Sequence, residues 1–228
     1  MLGINANIKK YHMKFRFKLY KSKSHINALL VKRAFLFYKE HRSLFLHIPK
    51  SAGVSMHYSL YETDSYGHIP LKDYYKLFGK REVKKCFKFC FVRDPYERLY
   101  SAYSYLKKGG RGCPIDLKYK EYLTPIEDFE DFVLNYLDRR EIREMEHFRS
   151  QTFYLVNKRG KLNIDFIGRY ESIEQDFGRL CELLSTKKGT LLKVNKNKDK
   201  DPYVLTTEVK EIIYNAYKED FINFGYRR

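Results

Sequence analysis

One lysine stands in a turn of small residues, Pro49-Lys50-Ser51-Ala52-Gly53, directly after the apolar run Leu44 to Ile48. A strand that ends in such a turn and opens a helix offers backbone N–H groups and a positive helix end to an anion. Ala52 and Gly53 keep that approach open, with Val54 and Ser55 leading into the helix. About forty residues later the arrangement recurs: the apolar run Cys86 to Val92 ends in Arg93 and opens a second helix, along which Ser101 follows roughly two turns on. An arginine and a hydroxyl are donors suited to a phosphate through charge-assisted bonds. Two such sites imply a ligand with two separated anionic groups. The first turn is not the nucleotide-hydrolase loop, because Lys50 precedes Gly53 and no Gly-Lys-Ser/Thr follows.

These residues need rigid strand ends to hold them. Both runs are nearly continuously apolar, as buried parallel strands are, which predicts strands at Leu44 to Ile48 and Cys86 to Val92. Helices are expected from about Ser55, over Leu71 to Phe78, and from Pro95 to about Lys108. The last has its own start signal, with Asp94 as cap, Pro95 at the first position and Glu97 completing a capping box. Gly109, Gly110, Gly112 and Pro114 mark a loop. A helical pattern runs from Pro125 to Leu137, a short strand over 165–170 feeds a helix from Glu171 to Leu184, and a lysine-rich loop over 185–201 precedes a final helix from Thr206 to Phe221. This alternation predicts an α/β chain, with a central mainly parallel sheet flanked by helices in three layers.

At 228 residues the chain is long enough for one domain with a sizeable core, and its 43% hydrophobic and 17% aromatic content is that of a folded protein. The formal charge of +17 is concentrated: residues 1–42 carry eleven Lys or Arg against Glu40 alone, a net of +10 that leaves +7 for the rest. Residues 1–42 therefore read as a basic arm, open to helix formation, preceding a single domain at 43–228. Such an arm suits an anionic glycan or the surface of an anionic membrane. Nucleic acid is not expected as a partner, since no zinc spacing, ribonucleoprotein signature or helix-turn-helix pattern accompanies the charge. Lys32 and Arg33 interrupt the apolar stretch near the start, so it makes neither a membrane span nor an export signal, and a cytoplasmic location is the expectation. Cys86, Cys90, Cys113 and Cys181 lack metal-ligand spacing and read as reduced structural thiols.

Taken together, His47-Ile-Pro-Lys-Ser-Ala-Gly-Val-Ser55 resembles the 5′-phosphosulfate loop of the sulfotransferases, and Phe91-Val-Arg-Asp-Pro-Tyr-Glu-Arg-Leu-Tyr-Ser101 resembles their 3′-phosphate motif. The branch that sulfates carbohydrates is the most similar. Weaker similarity covers His147-Phe-Arg-Ser-Gln151, Phe166-Ile-Gly-Arg-Tyr-Glu171 and Phe221-Ile-Asn-Phe-Gly-Tyr226, so the likeness spans about residues 43–226. It implies a P-loop-like fold working without a metal. Its reaction is transfer of a sulfuryl group from 3′-phosphoadenosine 5′-phosphosulfate to a hydroxyl of a carbohydrate or glycolipid, leaving 3′-phosphoadenosine 5′-phosphate. The basic charge would suit an acidic acceptor. Lys50 would stabilise the leaving phosphate, residues 51–55 would hold it through their backbone, and Arg93 and Ser101 would bind the 3′-phosphate.

A base must take the acceptor proton, and histidine titrates in the useful range. Of seven histidines, His68 in Tyr66-Gly-His-Ile-Pro70 falls where relatives carry a Gly-His segment, which makes it the candidate. His147 is second, as a residue beside the acceptor. His47 reads as a core or wall imidazole, His57 as an exposed helix residue, and Arg98 as a partner for Glu97 or Asp94. Two other functions compete. A kinase-like phosphotransferase would need a lysine after the loop glycine and magnesium-binding acids at a strand end. A basic module that only binds anionic surfaces would have no use for a base beside two anion anchors.

Overall fold

The computed structural model describes residues 28–186, 190–192, 203 and 205–228. The first 27 residues of the basic arm and most of the lysine-rich loop over 185–201 lie outside them. Helix α1 (Ala28–Glu40) leads into β1 (Ser43–Phe45) and α2 (Gly53–Tyr61); α3 (Leu71–Val83) precedes β2 (Phe87–Val92) and α4 (Pro95–Lys107). Then come α5 (Pro114–Leu123), α6 (Phe129–Asn135), α7 (Arg140–Glu144), a 3-10 turn (Glu146–Phe148) and α8 (Gln151–Leu155). Strand β3 (Phe166–Arg169), α9 (Ile173–Leu183), α10 (Thr207–Ala216) and α11 (Lys218–Phe224) complete the chain.

Among the described residues the sheet has three strands in the order β1-β2-β3, both pairings parallel, with Phe45 opposite Phe89 and Phe91 opposite Gly168. The expected α/β class is what forms: a small parallel sheet flanked by helices. Parallel register puts the C-terminal ends of all three strands on one edge, where the segments after Phe45, Val92 and Arg169 emerge side by side. Gly168 permits the tight β2–β3 contact, since a Cβ there would lie 2.4 Å from the Phe91 ring. Asp165 clips the start of β3 to β2, accepting from the Lys88 N–H at 2.7 Å and pairing with the buried Lys88 ammonium.

Several expected elements differ. Residues 28–40, expected within the basic arm, form a helix that packs on the sheet with Val31, Ala34, Phe35 and Tyr38 buried in the same core as β1 and β2. The buried positions Val31, Ala34, Phe35 and Tyr38 share one helical face, while Lys32, Arg33 and Lys39, and also Leu29 and Leu36, lie off it, so the charges did not prevent burial. The strand expected to reach Ile48 ends at Phe45, although the Leu46 N–H still donates to Phe89 O at 2.9 Å. Helix α5 fills a segment where none was expected, and the pattern over 125–137 narrows to α6. The final helix breaks at Tyr217 into α10 and α11. Among the described residues no helix is long and apolar enough to cross a membrane, and Cys86, Cys90, Cys113 and Cys181 are all free thiols.

Candidate active site

The turn after β1 is bent by two left-handed residues, Lys50 (φ 67°) and Ala52 (φ 59°). Ala52 stands at the N-cap of α2 with no side chain able to cap it, whereas the other strand-to-helix junction is closed by Asp94, whose Oδ1 accepts from the Glu97 N–H at 3.0 Å. The first turn of α2 is thus open to an anion in a way the first turn of α4 is not. Gly53 has a further reason to be glycine: an added Cβ would lie 1.8 Å from Cδ2 of His47. The His47 imidazole, 7% exposed and bonded through Nδ1 to Ser65 Oγ at 2.6 Å, roofs the turn from inside. Gly53→Ala should therefore displace that ring at a cost of about 1–3 kcal/mol, a Tm loss of roughly 2–4 °C per kcal/mol in a chain of this size. A thermal melt that did not move would show that His47 yields without resistance.

Lys50 projects from this turn over the Tyr105 ring, with Nζ 3.8 Å from its centroid. Tyr105 lies one helical turn beyond Ser101 on the same face of α4, and its hydroxyl donates to Asp116 Oδ2 at 3.1 Å. That carboxylate is itself buried beneath the glycine loop, where Arg111 N donates to it at 2.9 Å. Burial, aided by the Arg93 charge, brings the Lys50 ammonium down to about 8. Ser101, expected on the nucleotide side, is buried on α4.

Arg93 leaves the end of β2 and reaches back towards the first turn, Nη1 lying 3.5 Å from Lys50 O. Its guanidinium pairs with Glu97 at 3.1 Å and lies 4.4 Å from the centroid of the Tyr170 ring. Only half of the expected capping box forms, because the Glu97 carboxylate binds Arg93 and the Tyr203 hydroxyl. Glu171 at the end of β3 takes its place, accepting the Asp94 N–H at 2.7 Å.

The backbone of Arg93 is fixed by Gln151, which is fully buried. Its Oε1 accepts from Arg93 N at 2.9 Å and its Nε2 donates to Arg93 O at 2.8 Å. Gln151 is held in turn by Asp220, whose two oxygens accept the N–H groups of Gln151 and Thr152 at 2.8 Å each. Arg98, expected to pair with Glu97 or Asp94, instead points into the core and donates to the carbonyls of His147 (3.2 Å) and Arg149 (2.8 Å). Both carboxylates are engaged elsewhere, and its position on the inward face of α4 forbids a surface pair. The 147–151 segment is thereby gripped from both sides.

That grip brings His147 to His68. The two rings are 5.6 Å apart between centroids, and Glu146 Oε1 lies 3.7 Å from His68 Nε2. His68 Nδ1 bonds to the carbonyl of His47 at 3.0 Å; a carbonyl can only accept, so Nδ1 carries the proton and Nε2 has the free lone pair. Burial lowers the pKa of His68 most, Lys50 and Arg111 lower it further, and Glu146 and the carbonyl oppose them. His147 is pushed well below the usual histidine range by burial and by His68, and its Nδ1 is buried without a hydrogen-bond partner. His57 is not the exposed residue expected. It is buried against α1, with Nε2 3.1 Å from the Tyr38 hydroxyl and Nδ1 on Thr63 O.

Lys50, His68 and His147 thus form one electrostatically coupled cluster, and Arg93 acts on Lys50. The residues that escaped sequence reading are Tyr105 and Glu146, while Gln151 and Glu171 ended quoted segments but were given no role. Glu146 and Gln151 flank or end the quoted His147 segment, but nothing in their spacing announced a partner so far along the chain.

Residues 33–227 match the profile of the Sulfotransferase family. Among curated proteins the chain is 31% identical over 175 residues to carbohydrate sulfotransferase 11 of Mus musculus, a match covering 63% of this chain and 48% of that protein. The Rattus norvegicus counterpart matches to the same extent, and that of Danio rerio is 25% identical over 170 residues. The chain spans about half the length of these relatives. No solved structure gives a significant match.

Proposed function

The chain belongs to the sulfotransferase family, and from that premise we propose that it moves a sulfuryl group from 3′-phosphoadenosine 5′-phosphosulfate to a carbohydrate or glycolipid hydroxyl. The observation that carries the reading is the parallel β1–β2 register, which sets the Lys50 turn and Arg93 side by side on one sheet edge. The uncapped first turn of α2 and the Lys50 ammonium fit the phosphosulfate end of the donor. Arg93, Ser101 and the ring of Tyr170 fit the phosphate-bearing nucleotide end. The names of the relatives favour a carbohydrate acceptor.

In the proposed reaction His68 Nε2 accepts the proton of the acceptor hydroxyl as that oxygen bonds to sulfur. The bond from sulfur to the bridging oxygen breaks, and its electron pair stays on the phosphate oxygen. Lys50 stabilises the charge gathering there. Glu146 sits where it stabilises the imidazolium that forms. A kinase-like reading is less well supported, because Asp94 caps α4, Glu171 accepts from Asp94 N, and Glu97 is paired with Arg93. The net positive charge of residues 1–42 would suit an acidic acceptor or an anionic membrane in the same reading, with the protein acting in the cytoplasm.

Calorimetric titration with 3′-phosphoadenosine 5′-phosphate tests the donor assignment. Wild-type protein should bind it with or without a magnesium chelator. Arg93→Ala should weaken binding roughly 10–100-fold, the loss of a charge-assisted contact worth about 1.5–3 kcal/mol, with the Glu97 carboxylate no longer offset by Arg93 adding repulsion. No binding by the wild type would end the reading.

A further inference from the structure

The geometry points to a binding site for a divalent transition-metal ion such as Zn²⁺ formed by His68, Glu146 and His147, at which the metal and the acceptor proton compete for His68. One ring nitrogen of each histidine and a carboxylate oxygen of Glu146 lie within 4.8 Å of one another. Around tetrahedral zinc, with bonds of about 2.0–2.2 Å, neighbouring ligand atoms stand roughly 3.3–3.6 Å apart. The His68 to Glu146 separation of 3.7 Å is already close to that edge. The Glu146 to His147 edge closes by modest turning of Glu146, whose side chain is 39% exposed, and the His68 to His147 edge closes only by turning of the two rings.

Two independent features favour a metal over a chance cluster. His147 is 8% exposed, and its Nδ1 is buried without a partner, an arrangement that costs free energy unless something accepts its lone pair or its proton. The bond from His68 Nδ1 to His47 O fixes the tautomer and aims the Nε2 lone pair, which is how metal-bound histidines are oriented by a carbonyl behind them. Two histidines and one carboxylate leave a fourth position open, as in exchangeable rather than closed structural zinc sites. Lys50 and Arg111 act on the same pocket and oppose a dication, so the site is one that releases its ion readily.

The ligating lone pair is the one required to accept the acceptor proton, so a bound ion stops transfer. That consequence rests on the reading of His68 as base; the site itself does not. The test is calorimetric titration of ZnCl₂ into chelator-treated full-length protein, repeated with His147→Ala and Glu146→Gln, each first shown to bind 3′-phosphoadenosine 5′-phosphate as the wild type does. Expected are one ion per chain, affinity at least about tenfold lower in each variant, and intense visible absorption of Co²⁺ bound in its place, as a tetrahedral N/O site gives. Zinc that binds equally well to wild type and variants sits elsewhere, on the thiols or on other histidines, and overturns the site, as does no binding at all. In the transfer assay zinc should inhibit and a chelator restore activity. Stoichiometric binding at these three residues without inhibition would leave the site standing and overturn the role of His68.

Discussion

His68→Ala is expected to lower kcat by roughly 10²–10⁴-fold, the range for loss of a positioned general base, while 3′-phosphoadenosine 5′-phosphate binds nearly as tightly as before. The split follows from the geometry. His68 contacts Glu146, the His47 carbonyl and the rings of His47, His147 and Tyr154, none of them a proposed ligand of the 3′-phosphate. Burial lowers its pKa, and a base works in its neutral form. The acid limb of kcat/KM, measured with a chelator present, should therefore fall below the ordinary histidine range of about 6.5 and disappear in the alanine variant. Retention of near wild-type kcat in His68→Ala would move the search for the base to His147.

Lys50→Met should reduce kcat by roughly 10²–10³-fold, as removal of one preorganised charge from a developing oxyanion does. Unlike the histidine variant, it should also weaken donor binding, because the same ammonium meets the phosphosulfate in the ground state. Its pKa adds a sharper test. Burial and Arg93 bring Lys50 down to about 8, so in the free enzyme the charge is present below that pH and is lost as pH rises through it. The basic limb of kcat/KM should accordingly lie near 8. Lys50→Arg keeps its charge at every pH of the assay, so whatever activity it retains should lack that limb. A basic limb unchanged in Lys50→Arg would assign it to another group.

Much of the candidate site's structure was legible because it is local. A strand, a lysine in a small-residue turn and a helix are consecutive along the chain, and Asp94-Pro95 announces α4 through contacts within one turn. The parallel sheet followed from two nearly continuous apolar strand runs separated by helical patterns. The burial of residues 28–40, read as part of a basic arm open to helix formation, was not legible for a related reason: net charge describes what a segment carries, whereas burial depends on where its apolar residues fall around the helix. The capping box failed in part because Glu97 had to choose between Asp94 and Arg93, and Glu171 from β3 was available to serve Asp94 N.

What the sequence by itself determined, then, is the class of fold and the two strand-to-helix turns proposed to hold the anionic groups, since each is written in residues that touch their own neighbours. Only the tertiary structure decided which histidines meet, that Gln151 and Asp220 lock Arg93 in place, and that Gly53 is required by the His47 ring. Those contacts join residues 58 and 69 positions apart, or depend on the packing of an imidazole against a turn. No periodicity or spacing encodes such pairings. They arise only when the parallel sheet brings its strand ends to one edge and buried polar groups must find partners there.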